Sequence, residues 1–264
     1  MSVSSTSRPV TISALFRYIE QLQGDVPWGH LLDAGTGVNS LQWISTLDTE
    51  CWTAITASEA MARQSVQHYP STMRPNDRLV VGNWMDEQLL AGEQFDTIVL
   101  DYFIGAIDGF APYWQDQVLP RIRQHLKPGG RLYITALEPY VPRYRNNEVD
   151  QFVTELGRLR DACLLLAQER PYREYPADWT LRQLERSGYQ VHSCKHFGIR
   201  YGERFLHSQL DMCRQRAQRF GNQALTQAML QHADALQQRG EALLAEHGVL
   251  ASGHDYVIAA SVPG

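Results

Sequence analysis

The chain has 264 residues, 44% hydrophobic and 20% charged, with a formal net charge of −5. That is length for one large domain or two small ones, with apolar side chain enough for a full core. The acidic balance argues against a nucleic-acid partner, which needs a basic face; Arg214, Arg216 and Arg219 read as solvated surface. No apolar stretch reaches the length of a membrane span, and Met1–Pro9 lacks the apolar core of a secretory signal. Cys51, Cys163, Cys194 and Cys213 are far apart, with no Cys-x-x-Cys. They read as free thiols of a cytoplasmic protein, with no metal site.

Residues 11–23 show helical apolar spacing stopped by Gly24. His30–Asp33 reads as a buried strand, followed by a helix over 40–47. Trp52–Thr56 is a second strand, and Ser58 caps a helix running to about His68. Leu79–Gly82 is a third strand. Phe95–Asp101 is a fourth, whose near-continuous apolar run marks burial on both faces. A helix over Gln115–His125, a turn at Lys127–Gly130 and a fifth strand, Arg131–Ala136, complete the first half. Alternating strands and helices call for a parallel sheet covered on both faces. Beyond it lie helices over Asn147–Gln168 and Ala177–Arg186 and a sixth strand, Tyr189–Lys195. A long helical stretch, Glu203–His247, is interrupted near Gly221 and Gly240, and Asp255–Ser261 is a seventh strand. No repeat or linker divides the chain, so residues 1–264 are expected to form one domain.

The most informative segment is Asp33-Ala34-Gly35-Thr36-Gly37, between the first strand and its helix. Gly35 and Gly37 allow a tight turn and close approach of a ligand to the main chain. The helix start behind them offers unpaired N–H groups. Asp33 ends the strand where open α/β sheets bind ligands. A dinucleotide site wants a third glycine, but Val38, Asn39 and Ser40 follow. An acid there repels a pyrophosphate and suits a cationic, phosphate-free nucleoside. The alternative is a tight turn that holds nothing.

Asp33-x-Gly35-x-Gly37 resembles the first motif of class I S-adenosylmethionine (SAM) methyltransferases, in which the acid lies near the methionyl ammonium and the glycines pass along the cofactor. Phe95–Asp101 resembles the fourth-strand motif of that family, and Leu126-Lys-Pro-Gly-Gly-Arg-Leu-Tyr133 is similar to its turn into strand five. Gly82-Asn83-Trp84 falls where the family reads the adenine. The resemblance covers about residues 12–140 by motif and 175–262 by topology. It implies an α/β fold: a seven-stranded Rossmann-like methyltransferase sheet, mostly parallel with the last strand antiparallel. Helical lid insertions are expected at about 141–185 and 203–250. It also implies SAM as cofactor, held by Asp33, Ala34, Gly35, Thr36, Gly37, Thr56, Asn83, Trp84 and Asp101. Gly35→Val is then expected to remove SAM binding and spare the fold.

Two positions depart from the family pattern. Thr56 stands where an acid commonly holds both ribose hydroxyls; Glu59, one turn on, is a substitute or an ordinary first-turn acid. Asn83 replaces an Asp that accepts the adenine amino proton, and Trp84 either stacks on adenine or packs against the sheet.

For the transfer itself the candidates are Asp101, Tyr102, Glu138 and His196. Asp101-Tyr102 ends strand four, beside the expected methyl, but lacks the prolines of the amino-methylating branch. Glu138-Pro139-Tyr140 follows strand five, and a carboxylate beside tyrosines suits a cationic amine. His196 or His207 offers a base near neutral pH. Tyr140, Tyr144, Arg200 and Tyr201 are expected on the substrate side, with Tyr172 and Tyr175 lining a lid; each aromatic reads equally as packing. The leading expectation is methyl transfer to a small molecule, to nitrogen in preference to oxygen or sulfur. Aminopropyl transfer, as in polyamine synthases, is the alternative on the same scaffold, against which stands Ile104 at their second Asp position. A non-catalytic SAM-binding subunit is the third, with the 203–247 helices as a homodimer surface.

Overall fold

Leu31 and Leu32 have no exposed surface, and the strand they build sits where the chain reverses its direction of travel across the sheet. The computed structural model describes residues 12–139 and 147–264; Tyr140 and Tyr144 lie outside the described residues. In chain order the elements are α1 (Ala14–Gln23), β1 (His30–Asp33), α2 (Val38–Ile44), β2 (Cys51–Thr56), α3 (Glu59–Gln67), β3 (Arg78–Val81), β4 (Phe95–Asp101) and α4 (Phe103–Ala106). Then come α5 (Gln115–Arg123), β5 (Leu126–Leu137), α6 (Glu148–Leu166), α7 (Ala177–Arg186), β6 (Gln190–Tyr201), α8 (Glu203–Ala217), α9 (Gln223–His247) and β7 (Leu250–Ser261).

The strands form one seven-stranded sheet in the order β3-β2-β1-β4-β5-β7-β6. β1 runs parallel to β2 on one side and to β4 on the other, so Asp33 lies level with Ala54 and Val99. The chain moves outward from β1 to β3, then returns to β4, which makes the crevice beyond β1 and β4 the topological switch point. β7 lies between β5 and β6. It is antiparallel to β5: Val262 bonds to Gly130 at one end and Glu138 to His254 at the other.

The chain divides into two compact units. The first comprises the described residues of 1–136, 177–195 and 256–264. Its core holds the fully buried Trp43, Trp52, Phe95 and Tyr133. α1 is fixed to α2 by Phe16, whose ring stacks on Trp43 at 4.3 Å and 3°, and by the Trp43 indole N–H, which donates to Glu20 at 2.7 Å. α7, shared between core and lid in the sequence reading, belongs to this unit. The second unit comprises the described residues of 137–176 and 196–255. Phe152 and Leu156 of α6, Leu206 and Leu210 of α8, and Leu236 and Leu243 of α9 form its core.

Two expectations need correction. Lys127–Gly130 is not a turn ahead of β5 but a bulge within it, since Phe95 pairs with Leu126 and Thr97 already with Arg131. Gly129 takes the positive φ (73°) that the bulge requires. Gly240 does not break the long helix either: α9 passes through it, whereas the break near Gly221 is real. A Cβ on Gly240 would lie 2.6 Å from the Phe152 ring and 2.8 Å from Leu206. The glycine is there so that α9 can approach α6 and α8. Gly240→Ala should therefore lower stability by about 1–3 kcal/mol through overpacking, although alanine is the better helix former. Urea unfolding measures it; equal or greater stability would refute the close-approach account.

Candidate functional site

The turn after β1 is pinned from both neighbouring strands. Ala34 N–H donates to Val99 O at 3.0 Å, and Thr36 N–H donates to Ile55 O at 2.7 Å. Asp33 is wholly buried. The Ser40 hydroxyl, seven residues on, donates to its Oδ2 at 2.7 Å, and the Gly37 N–H donates to the same Ser40 oxygen at 3.1 Å. Asp33 Oδ1 is shut from solvent with no hydrogen-bond partner among the described residues. Burial pushes its carboxyl up to about 6; the Thr36 and Ser40 hydroxyls and the Gly35 amide only partly oppose this.

The two glycines do different work. A Cβ on Gly35 would lie 2.4 Å from the Phe103 ring, which packs against the turn, whereas a Cβ on Gly37 would meet nothing within 4 Å among the described residues. The expectation that Gly35→Val spares the fold is thus corrected, because Phe103 fills the space that a side chain would need. Gly37 is the glycine with open space beside it.

At the end of β4 the Thr135 hydroxyl of β5 donates to Asp101 Oδ1 at 2.5 Å. The next residue, Tyr102, has φ 48°, a conformation uncommon outside glycine and associated with functional sites. Its N–H donates to Thr135 O at 3.0 Å, so the bend is held from β5. Asp101 and Tyr102 form one wall of a cleft of about 350 Å³, whose other walls are Ser13, Leu15 and Phe16 of the α1 end and Asn39 and Gln42 of α2. That volume is in the range of small-molecule sites. Asp33 and the glycines do not line it among the described residues; the cleft reaches Asn39, two residues past Gly37. Ser40 and the cleft-lining Asn39 and Gln42 are polar residues that no motif singled out.

The expected adenosine side is more fully occupied. Thr56 is buried, and its hydroxyl accepts the Ser58 N–H at 3.3 Å. Glu59 faces solvent near Arg63 at 3.9 Å, as an ordinary first-turn acid would. Asn83 donates to Phe110 O at 2.9 Å and accepts from the Met85 N–H at 3.0 Å. Trp84 is only 4% exposed. Its indole N–H donates to Ala34 O at 2.7 Å, and it meets Phe103 and His125 edge-on. The packing reading of Trp84 replaces the stacking one, since so little ring surface is open to a base. Trp84 instead buttresses the first motif from below.

In the second unit the structure joins two candidates that the sequence left separate. His196 Nε2 lies 3.0 Å from Glu138 Oε1, on partly exposed side chains. The His254 ring meets His196 edge-on at 6.1 Å. Arg200 is exposed on β6, and His207 is half-buried on α8. Tyr201 stacks on Phe205 at 3.9 Å, and burial, aided by the Asp255 charge, pushes its phenol upward. Tyr201, expected on the substrate side, thus packs on Phe205 within the second unit.

No protein-family model matches the sequence, and no curated protein does. Among solved structures, a candidate methyltransferase from Bacillus halodurans is similar over 94% of this chain and 99% of its own, with a TM-score of 0.61 and 14% identity. The [4+2]-cyclase SpnF is similar over 94% and 80%, with a TM-score of 0.54 and 16% identity. A Haemonchus contortus phosphoethanolamine N-methyltransferase, solved with S-adenosylhomocysteine, matches over 93% and 51%, with a TM-score of 0.51 and 15% identity. With β7 between β5 and β6 and the glycine turn at the switch point, the chain has the fold of the class I SAM-dependent methyltransferases.

Proposed function

We propose that the chain binds SAM at the β1–α2 turn and transfers its methyl group to a small-molecule acceptor. The observation that carries this reading is Asp33: a buried carboxylate with one oxygen unpaired among the described residues, at the switch point, beside the open face of Gly37. Such an oxygen suits a ligand that brings positive charge or a bound water. The residues present therefore fit a cationic nucleoside. When bound, SAM supplies a methyl carbon activated by its sulfonium.

The protein's contribution is then placement. Ser40 and the turn hold Asp33 rigidly, and Gly37 leaves the main chain approachable. Asp101 and Tyr102 stand in the cleft wall with their backbone fixed by Thr135, so that an acceptor can be held in line. We favour an amine nitrogen as acceptor, because the Asp101 carboxylate can take up its N–H groups by hydrogen bonding while the lone pair stays neutral. Within the second unit, His196 Nε2 and Glu138 Oε1 lie 3.0 Å apart. A carboxylate orienting an imidazole is the arrangement of a general base. Aminopropyl transfer finds less support, since Ile104 is 1% exposed on α4 and puts no acid at that position. SpnF, named a cyclase, shows that this fold does not by itself decide the reaction.

Calorimetric titration of the ligand-free protein tests the reading. SAM should bind with a Kd tighter than about 100 μM, and Gly37→Val should weaken it at least about tenfold without unfolding the chain. Gly35→Ala should instead cost about 1–3 kcal/mol of stability through the Phe103 ring. No SAM binding by the wild type would leave only a non-catalytic or unrelated role.

Binding should also depend on pH. Asp33 must be ionised to attract a cation, and in the free protein its carboxyl sits at about 6. Affinity should be level above pH 7 and fall by up to about tenfold from pH 6 to pH 5. Asp33→Asn should abolish that slope; a slope retained in the variant would assign it to another group.

A further inference from the structure

The loop between α6 and α7 closes a second pocket, of about 180 Å³, within the second unit. Tyr172, Arg173 and Glu174 of the loop line it, with Arg160 and Asp161 of α6. The chemistry proposed above uses none of these residues. Glu174 is largely buried, and its Oε2 is shut from solvent with no hydrogen-bond partner among the described residues. Arg160 bonds its chain neighbour Asp161 at 2.6 Å. Burial pushes the Glu174 carboxyl up to about 7; the Asp255 charge on β7 adds to the push and Arg160 opposes it. Burial pushes the Tyr172 phenol up as well, and the Glu174 charge adds to that push. The lining thus sets two acids and two arginines around a concave space with the Tyr172 ring in its wall, and the unpaired atom is an acceptor.

We propose that this pocket binds a small organic ammonium ion, with Glu174 as its counter-ion and the Tyr172 ring as its wall. An ammonium supplies the N–H donors that Oε2 lacks, and an aromatic face attracts a cation. A metal ion is a poorer occupant, because no group of three or more metal-ligating side chains converges among the described residues and Arg160 opposes a divalent charge. The proposal concerns the second unit alone and stands whether or not the first binds SAM. It also sets a pH dependence. The charged and titratable groups around Glu174 are Arg160 and Asp161 on α6, Asp255 on β7, Tyr201 on β6, and Tyr172 and Arg173 beside it. Glu174 itself is poised near neutrality, so ammonium binding should tighten as pH rises through 7.

The test is a ligand-observed NMR titration of the full chain with propylammonium, against 1-propanol as its uncharged counterpart. Propylammonium should bind saturably and about tenfold or more tightly than the alcohol, and Glu174→Gln should lose about tenfold of that affinity. The amide keeps the shape and removes an unpaired charge, so the thermal midpoint at pH 8 should hold or rise. Tyr172→Leu should weaken propylammonium and leave the alcohol unchanged. Equal binding of the two probes, no saturable binding to the folded protein, or wild-type affinity in Glu174→Gln would each overturn the proposal. SAM affinity measured on the same samples should not change with Glu174→Gln. Ammonium failure beside intact SAM binding therefore sinks this inference alone.

Discussion

The site is organised around a carboxylate taken out of water with only half of its hydrogen bonding satisfied. Asp33 cannot reach solvent, and Ser40 answers one of its oxygens. A buried polar atom without a partner is costly, so this feature needs a purpose or a compensation. The sheet order supplies the setting. β1 is flanked by β2 and β4 as parallel neighbours, and the crevice above them is the one place where the chain's two directions of travel diverge.

Everything nearby serves to hold that carboxylate and its turn. Val99 and Ile55 accept backbone N–H groups of the turn from either side. Trp84 bonds Ala34, and Phe103 presses on Gly35. Phe16 and Trp43 dock α1 against α2, which brings Ser13 and Leu15 to the cleft. Thr135 fixes both the Asp101 carboxylate and the strained Tyr102 backbone. These contacts are the supporting shell that a preorganised site requires.

Much of this was legible in the sequence because the signals were local. β1 and β4 are apolar runs that each end in an Asp, and their bounds are those read from the chain. Ser58 caps α3 as its hydroxyl suggests. Legibility failed where a residue answered to a distant partner. Gly240 looked like a helix breaker but is a packing glycine. Lys127–Gly130 looked like a turn but is a bulge, since pairing with β4 resumes across it. Trp84 could stack or pack by composition alone, and only the Ala34 carbonyl decides between them. Ser40 as the partner of Asp33, and Glu138 as the partner of His196, depend on tertiary placement that spacing does not encode. Glu174 lies in a loop without periodicity, and nothing in its neighbours announces burial.

The most direct test of the central claim is the ionisation of Asp33 itself. Its side-chain carboxyl, followed by carbon-13 NMR across pH, should titrate near 6 in the free protein. With saturating SAM it should move down by about one unit or more, because a cation favours the charged form. An Asp33 that titrates at the same pH with and without SAM, or that already ionises near 4 in the free protein, would contradict the account.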